Sequence, residues 1–87
     1  MRDPITKLIK AGFKTVNKGT TYSITVTDRN RITTTTVTWV WAANGDGSVH
    51  MDEVDGNGKR IATSSTSRMS PKDSVNLAVN LAKNARR

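Results

Sequence analysis

Residues 32–65, ITTTTVTWVWAANGDGSVHMDEVDGNGKRIATSS, decide the fold of this chain. At their centre, residues 37–41 are all β-branched or aromatic. Such side chains favour an extended backbone, because they fit a pleated surface and lose rotamers in a helix. Two turn sequences follow, at residues 44–47 and 55–58, whose asparagine, aspartate and glycine tolerate the positive φ of tight hairpins. The stretch therefore predicts an antiparallel meander with strands near residues 31–42, 48–54 and 59–65.

A further strand is predicted upstream, because Tyr22, Ile24 and Val26 alternate with polar residues, which is typical of a strand with one buried face. The polar connection at residues 28–31 is short enough for a hairpin and places two arginines at an exposed tip. The threonines at residues 33–36 suit a strand but offer little to bury, so we expect them in an exposed or edge part of the second strand. Because edge strands pair with other chains, a homodimer is one expectation.

The N-terminal segment carries the signals of a short helix. Asp3 and Pro4 predict its start as N-cap and first helical residue, and Gly12 predicts its end. The apolar residues expected to pack on the core are Ile5, Leu8 and Ile9 on one helix face, with Phe13 and Val16 at the helix exit.

A second helix is predicted at the C-terminal end. Ser70, Pro71 and Asp73 open it as N-cap, first helical residue and acidic residue in the first turn. The stripe expected to pack on the sheet consists of Val75, Leu77, Ala78, Val79, Leu81, Ala82 and Ala85. Residues 1–87 thus predict a single α+β domain, an antiparallel β-meander of three to four strands with an N-terminal and a C-terminal helix packed on one face, in the order α-β-β-β-β-α.

The charge of the chain indicates a polyanionic partner. Its 14 basic and 7 acidic residues give a formal net charge of +7. Residues 46–55 carry four acidic and no basic groups, which predicts an acidic hairpin tip between two basic halves. We expect the basic side chains of both termini and of residues 28–31 to lie together on one side of the molecule, opposite this tip. A basic surface attracts phosphates, so nucleic acid is the favoured partner class. A basic protein with no such partner is the alternative.

Composition argues against several other classes. There is no cysteine, so disulfides and thiolate metal sites are excluded and a cytoplasmic location is the default expectation. No apolar run approaches the roughly 20 residues that cross a bilayer, and no secretory signal is visible, so no membrane partner is expected.

The two tryptophans have two interpretations. Trp39 and Trp41 share a strand face with Val37. Exposed, they would stack on the bases of a single strand; buried, they would supply much of the apolar area that a small core needs. With only four aromatic residues in the chain, the core interpretation is favoured, and Tyr22 is expected at the core or its boundary.

Residues 42–53 resemble the calcium loop of EF-hand and dockerin repeats, with Asn44, Asp46 and Glu53 at ligand positions. Ala42 stands where that loop has its first aspartate, and the flanking residues indicate strands. A hairpin turn is therefore predicted there in place of a metal site.

A catalytic site is not predicted. His50, the one histidine, can pair with Asp52 on the same strand face, but no nucleophile elbow accompanies them and too few nitrogen or sulfur ligands exist for a transition metal. Glycines 56 and 58 lack the following helix that a phosphate-binding loop needs. We expect no enzyme activity, no metal and no cofactor.

Residues 37–85 resemble the β-β-β-α repeat of YegP-like small proteins. The shared features are Asn57-Gly58 followed by Ile61, the serines at residues 64–65, and Ser70 with Lys72 opening an alanine-bearing helix. That resemblance implies a fold and dimerisation but no activity.

The order of helix, antiparallel sheet and helix is also similar to double-stranded RNA-binding domains, which bind phosphates with lysines at the start of the last helix. Arg68 and Lys72 occupy that neighbourhood here.

Taken together, these patterns predict a small nucleic-acid-binding accessory protein that contacts phosphates with low sequence specificity. The alternative is a protein-interaction module, such as a phage- or plasmid-type inhibitor or adaptor, docking through the threonine-rich edge or the acidic tip at residues 46–55. A structural subunit of a larger assembly is a third reading. The residues predicted to contact phosphates are Lys7, Lys10, Arg29, Arg31, Arg68, Lys72, Lys83, Arg86 and Arg87.

Overall fold

The computed structural model describes residues 4–17, 20–30, 32–42 and 45–85. Asp3, the predicted N-cap, therefore lies outside the described residues. Within the described ranges the chain forms two helices and five strands. These are α1 (Pro4–Lys10), β1 (Lys14–Asn17), β2 (Thr21–Asp28), β3 (Thr33–Trp41), β4 (Gly47–Val54), β5 (Arg60–Met69) and α2 (Pro71–Ala85).

The strands form one antiparallel sheet in the order β1-β2-β3-β4-β5. The predicted α+β class and meander are confirmed, and the short strand β1 is an addition that the sequence did not signal. The register follows the hydrophobic alternation: Val37 in β3 lies between Ile24 of β2 and Met51 of β4. Side chains of like polarity consequently share a face across the central strands.

The threonine run lies at the centre of the sheet, so its predicted position at an edge is wrong. β3 is paired on both sides, and Thr33 and Thr35 are only 6% and 5% exposed. They continue the alternation of β3, so every second threonine falls on the buried face. A β-branched side chain suits such a half-buried pleated surface even though it carries a hydroxyl group. The edges of the sheet are β1 and β5.

The core lies between the sheet and α2, which packs against β2, β3 and β4. Trp39 is fully buried, with its ring centroid 6.2 Å from that of Tyr22 and 5.5 Å from that of Trp41. The prediction of core tryptophans is confirmed for Trp39, and Trp41 packs half-buried against the same cluster. The buried apolar residues are Leu8, Phe13, Tyr22, Ile24, Val26, Val37, Trp39, Val49, Val75, Ala78, Val79 and Ala82.

The end of α1 follows the predicted stop. Gly12 has a φ of 104°, and the amides of Gly12 and Phe13 donate to the carbonyls of Ile9 and Leu8, the bond pair of a Schellman motif. Phe13 is buried as expected, whereas Ile9 and Val16 are 49% and 65% exposed. The expectation that those two residues join the core is wrong. Val16 belongs to β1, an edge strand whose residues are all exposed, and Ile9 lies on the exposed side of α1.

The start of α2 is capped as predicted, since the Ser70 hydroxyl accepts from the Asp73 amide at 3.2 Å. One turn later, the Ser74 side chain accepts from Trp39 Nε1 at 2.8 Å and donates to the Pro71 carbonyl at 2.9 Å. Gly47 lies against this pair: a Cβ built on it would stand 2.0 Å from Ser74 Oγ. Gly47 is therefore required by close packing of α2 on β4, a role different from the turn role assigned to it above.

The predicted hairpin turns are present. Gly45 and Gly58 have φ values of 92° and 83°, the left-handed region that the turn sequences anticipate. In the β4–β5 turn, Asp55 Oδ1 accepts from the amides of Asn57 and Lys59, both at 2.9 Å. The predicted acidic tip at residues 46–55 is, however, mostly the strand β4. Asp52 and Glu53 lie within this strand, and Asp46 and Asp55 lie just beyond its two ends. In the described part of the chain, no helix has the length and apolarity to span a membrane.

Candidate functional site

The exposed side of the helix layer carries a polar stripe along α2. Lys72 and Lys83 are separated by eleven residues, which is about three turns, so they lie on nearly the same line along the helix. Asn76 and Asn80 fall between them, within about a quarter turn of that line. Both lysines and Asn80 are exposed, and Asn76 is half-buried.

α1 adds a third lysine to this stripe. The Lys7 ammonium group donates to Asn76 Oδ1, joining residues that are 69 positions apart in the chain. Lys7 thus sits beside the middle of α2, and Lys10 follows it one turn further along α1. We call the set Lys7, Lys72, Asn76, Asn80 and Lys83 the helix stripe.

The other predicted phosphate contacts are not gathered with the stripe. Arg29 lies in the turn between β2 and β3, and Arg68 lies near the end of β5 with a φ of 58°. These two positions are at opposite ends of the sheet, since the register places the β2–β3 turn beside Val54 and residue 69 beside Gly47. Arg31, Arg86 and Arg87 lie outside the described residues.

The β4–β5 turn, which carries Asp55, lies beside the β2–β3 turn with its arginine and not on the opposite side of the molecule, where the charge pattern predicts it. A Cβ built on Gly56 would meet Ile32 Cγ2 at 3.1 Å, so the β4–β5 turn with Asp55 packs next to the β2–β3 turn with Arg29. The idea of one basic side facing one acidic side is therefore wrong. Four of the nine described basic residues are lysines on the two helices, and the other five lie on the strands and turns of the sheet.

Most of these cations are available to a ligand. Lys10, Arg29, Arg68, Lys72 and Lys83 are all exposed. None of them makes an ion pair within 4.0 Å with any carboxylate in the described parts of the chain. Their charges are consequently compensated by solvent and counterions, which a polyanion can displace.

The opposite face of the sheet is covered by hydroxyl groups. The register sets Thr25 opposite Thr36 and Thr27 opposite Thr34, and the hydroxyls of the first pair are 3.4 Å apart. The buried residues of both helices pack in the core on the other side of the sheet. We call this side, on which neither described helix packs, the outer face.

A hydrogen-bonded chain crosses the outer face from β5 to β4. His50 Nδ1 is 2.8 Å from Ser65 Oγ, and His50 Nε2 is 2.9 Å from Asp52 Oδ2. An ionised carboxylate only accepts, so Nε2 carries a proton directed at Asp52, and in the neutral ring Nδ1 accepts from the Ser65 hydroxyl. The predicted pairing of His50 with Asp52 is thus present, and Ser65 joins it through the register of β5.

Asp52 is held in its ionised form by this arrangement. The hydrogen bond from His50 and then that from Thr63 lower the pKa of Asp52 below its ordinary value of 3.8, against the opposing effect of burial. The charge of Arg60, whose Nε lies 3.4 Å from Asp52 Oδ1, acts in the same direction. Asp52 therefore orients His50 at neutral pH.

The order of serine, histidine and carboxylate is that of an activated nucleophile. Such a group gains most in a water-excluded site, whereas the His50 side chain is 46% exposed. The groove beside it is shallow, about 300 Å³, and is lined by Val40, Ser48, Val49, His50, Ser65, Thr66 and Ser67. The arrangement stabilises the β4–β5 pair and presents hydroxyl groups to solvent.

Comparison of this chain with protein-family models, curated proteins and solved structures finds no match. The resemblances to YegP-like proteins and to double-stranded RNA-binding domains accordingly stay predictions.

Proposed function

We propose that this protein is a small, non-enzymatic nucleic-acid-binding accessory protein, which contacts phosphates through the helix stripe with low sequence specificity. The observation that carries the proposal is the meeting of Lys7 with Asn76 between Lys72 and Lys83. Three of the predicted phosphate contacts are brought into one row by the packing of α1 on α2. Unpaired cations in a row are the electrostatic footprint expected of a phosphate-binding surface.

The length of the stripe suits a nucleic-acid backbone. Eleven residues of helix rise about 16 Å, which corresponds to about five phosphates of one strand at 3.4 Å of axis per phosphate. Asn76 and Asn80 add amide groups that can donate to phosphate oxygens between the lysines.

Low sequence specificity follows from the residue types. Lysines on flexible stems contact phosphates, which carry no sequence information, and the tryptophan rings that could stack on bases are in or against the core. Binding should then depend steeply on salt, because each neutralised phosphate releases a counterion.

The test compares two double variants of equal charge. Lys72→Gln with Lys83→Gln removes two members of the stripe, whereas Lys14→Gln with Lys59→Gln removes two exposed lysines on β1 and the β4–β5 turn. Fluorescence anisotropy with a 20-nucleotide single strand and a 20-base-pair duplex is measured across a salt series. The first variant should lower the slope of log affinity against log salt by about two units, and the second should leave it nearly unchanged. Equal losses in both variants, or an affinity insensitive to salt, would refute the proposal.

A further inference from the structure

β5 is an edge strand that no described element covers. It spans Arg60–Met69, ten residues, and pairs only with β4 in the described part of the chain. None of its residues is buried, and α2 packs on β2, β3 and β4 with little contact to β5. One side of its backbone therefore presents unpaired N–H and C=O groups to solvent over about 30 Å.

The two edges of the sheet are protected very differently. β1 has four residues and an irregular register between Thr15 and Asn17, features that discourage pairing. In β5, residues 61–67 have the sequence IATSSTS, with no charge and no proline. Register shifts fall only at its two ends, so Ala62 to Thr66 run in unbroken register with β4. Between Ala62 and Thr66 the strand therefore has no bulge, charge or proline, the usual devices against strand addition.

Charge marks the ends of the segment. Arg60 precedes it and Arg68 follows it. The Nε of Arg60 lies 3.4 Å from Asp52 Oδ1, whereas Arg68 is exposed without an ion pair to a described carboxylate. Ile61, which is 50% exposed, offers a large apolar contact beside Arg60. A complementary strand would thus have an uncharged, β-forming centre and an acidic residue at its ends.

A second copy of this chain fits the edge poorly. In the antiparallel two-fold pairing centred on Ser64, Arg60 of one copy lies opposite Arg68 of the other, and like charges opposite one another destabilise a sheet. Each copy would also bring its net charge of +7. The hydrogen bonds of a β5–β5 pair would have to overcome both the repulsion between these arginines and the repulsion between the two net charges.

We propose that β5 is a docking edge for an extended peptide segment of a partner protein, with an uncharged β-forming centre flanked by acidic residues, which adds to the sheet as a sixth strand. Main-chain hydrogen bonds to residues 61–67 supply affinity, and Arg68 selects an acidic residue at one end. Arg60, which is shared with Asp52, adds a weaker attraction for an acidic residue at the other end. The surface is separate from the helix stripe, so the proposal does not depend on nucleic-acid binding.

The test uses two synthetic nonapeptides labelled with fluorescein, alternating valine and threonine, one ending in glutamate at both ends and the other in lysine. The glutamate peptide should bind about tenfold more tightly than the lysine peptide at low salt. Hydrogen exchange should slow in residues 61–67 when it binds, because new main-chain hydrogen bonds form there. Arg68→Gln should reduce the preference for glutamate ends several-fold without altering the fold.

Four outcomes would overturn the proposal. One is equal binding of the two peptides; another is unchanged exchange in residues 61–67. The third is a loss of glutamate-peptide affinity in the double variant Lys72→Gln with Lys83→Gln, together with unchanged affinity in Arg68→Gln. That result would place the peptide on the helix stripe. Concentration-dependent protection of residues 61–67 in the protein alone would assign the edge to a second copy and would likewise overturn it.

Discussion

Replacement of Gly47 by alanine tests how α2 is seated on the sheet. The added methyl group would lie 2.0 Å from Ser74 Oγ, 2.6 Å from Ser74 Cβ and 3.1 Å from Trp39 Nε1. Ordinary contact requires about 3.5 Å, so Ser74 must move by more than about 1 Å or the strand must retreat. Either movement breaks the bond from Trp39 Nε1 to Ser74 Oγ, which is buried.

The expected cost is the sum of two terms. Overpacking of a close-fitting core costs about 1–3 kcal/mol, and a buried indole N–H left without an acceptor costs about 1–3 kcal/mol. The free energy of unfolding should fall by about 2–6 kcal/mol, which lowers Tm by at least about 10 °C in a domain of this size. The matched control is Gly45→Ala, where the new methyl group meets nothing within 4 Å and only the left-handed φ is strained, at about 1–2 kcal/mol.

Urea unfolding followed by tryptophan fluorescence measures both variants and a rescue. Ser74→Gly removes the atoms that the new methyl group would strike, at the cost of the Trp39 hydrogen bond and of about 1 kcal/mol for glycine in a helix. In that background, Gly47→Ala should cost much less than it does in the wild type. An equal cost in both backgrounds, or a Gly47→Ala variant no weaker than Gly45→Ala, would show that α2 does not approach β4 this closely.

Three further predictions concern stability. Ser70→Ala removes the hydroxyl that accepts from the Asp73 amide and should cost about 1 kcal/mol, seen as a lower urea midpoint. Leu8→Ala, at a fully buried position, should lower the free energy of unfolding by about 2–5 kcal/mol. Ile9→Ala, at a 49% exposed position, should change it by at most about 0.5 kcal/mol. Similar losses in the two variants would contradict the burial of only one face of α1. Because the pKa of Asp52 is lowered by His50 and Thr63, its contribution to stability is present above the ordinary value of 3.8 and is lost as pH falls through the lowered pKa. Wild type should therefore melt above Asp52→Asn at pH 5, and the gap in Tm should close toward pH 2; a constant gap would contradict this account.

Much of the local structure could be predicted from residue patterns. The alternation of Tyr22, Ile24 and Val26 places a strand, and the glycines at residues 45 and 58 place turns, because pleating and positive φ act over only a few residues. Ser70 and Gly12 mark helix ends for the same reason, since caps are satisfied within one turn.

The errors arise where a residue's role depends on distant parts of the chain. The threonines at residues 33–36 are polar enough for an exposed edge strand, but β3 pairs with a strand on each side, so they lie at the centre of the sheet. Gly47 belongs to a turn sequence, but its role in the structure is to leave space for Ser74, which lies in a helix 27 positions later. Neither fact is visible in a local window, because strand order and helix seating are set by packing.

The sequence by itself determined the two helices, the presence of β2 to β5, the caps and turns at Gly12, Ser70, Gly45 and Gly58, the excess of positive charge and the burial of Trp39. Only the tertiary structure decided that Lys7 meets Asn76 between Lys72 and Lys83, that Ser65 completes the hydrogen-bonded chain of His50 and Asp52, and that β5 is left as the long open edge. The physical reason is range: side-chain period and turn chemistry act between near neighbours in the chain, whereas a binding surface forms from residues that sheet register and helix packing bring together across it.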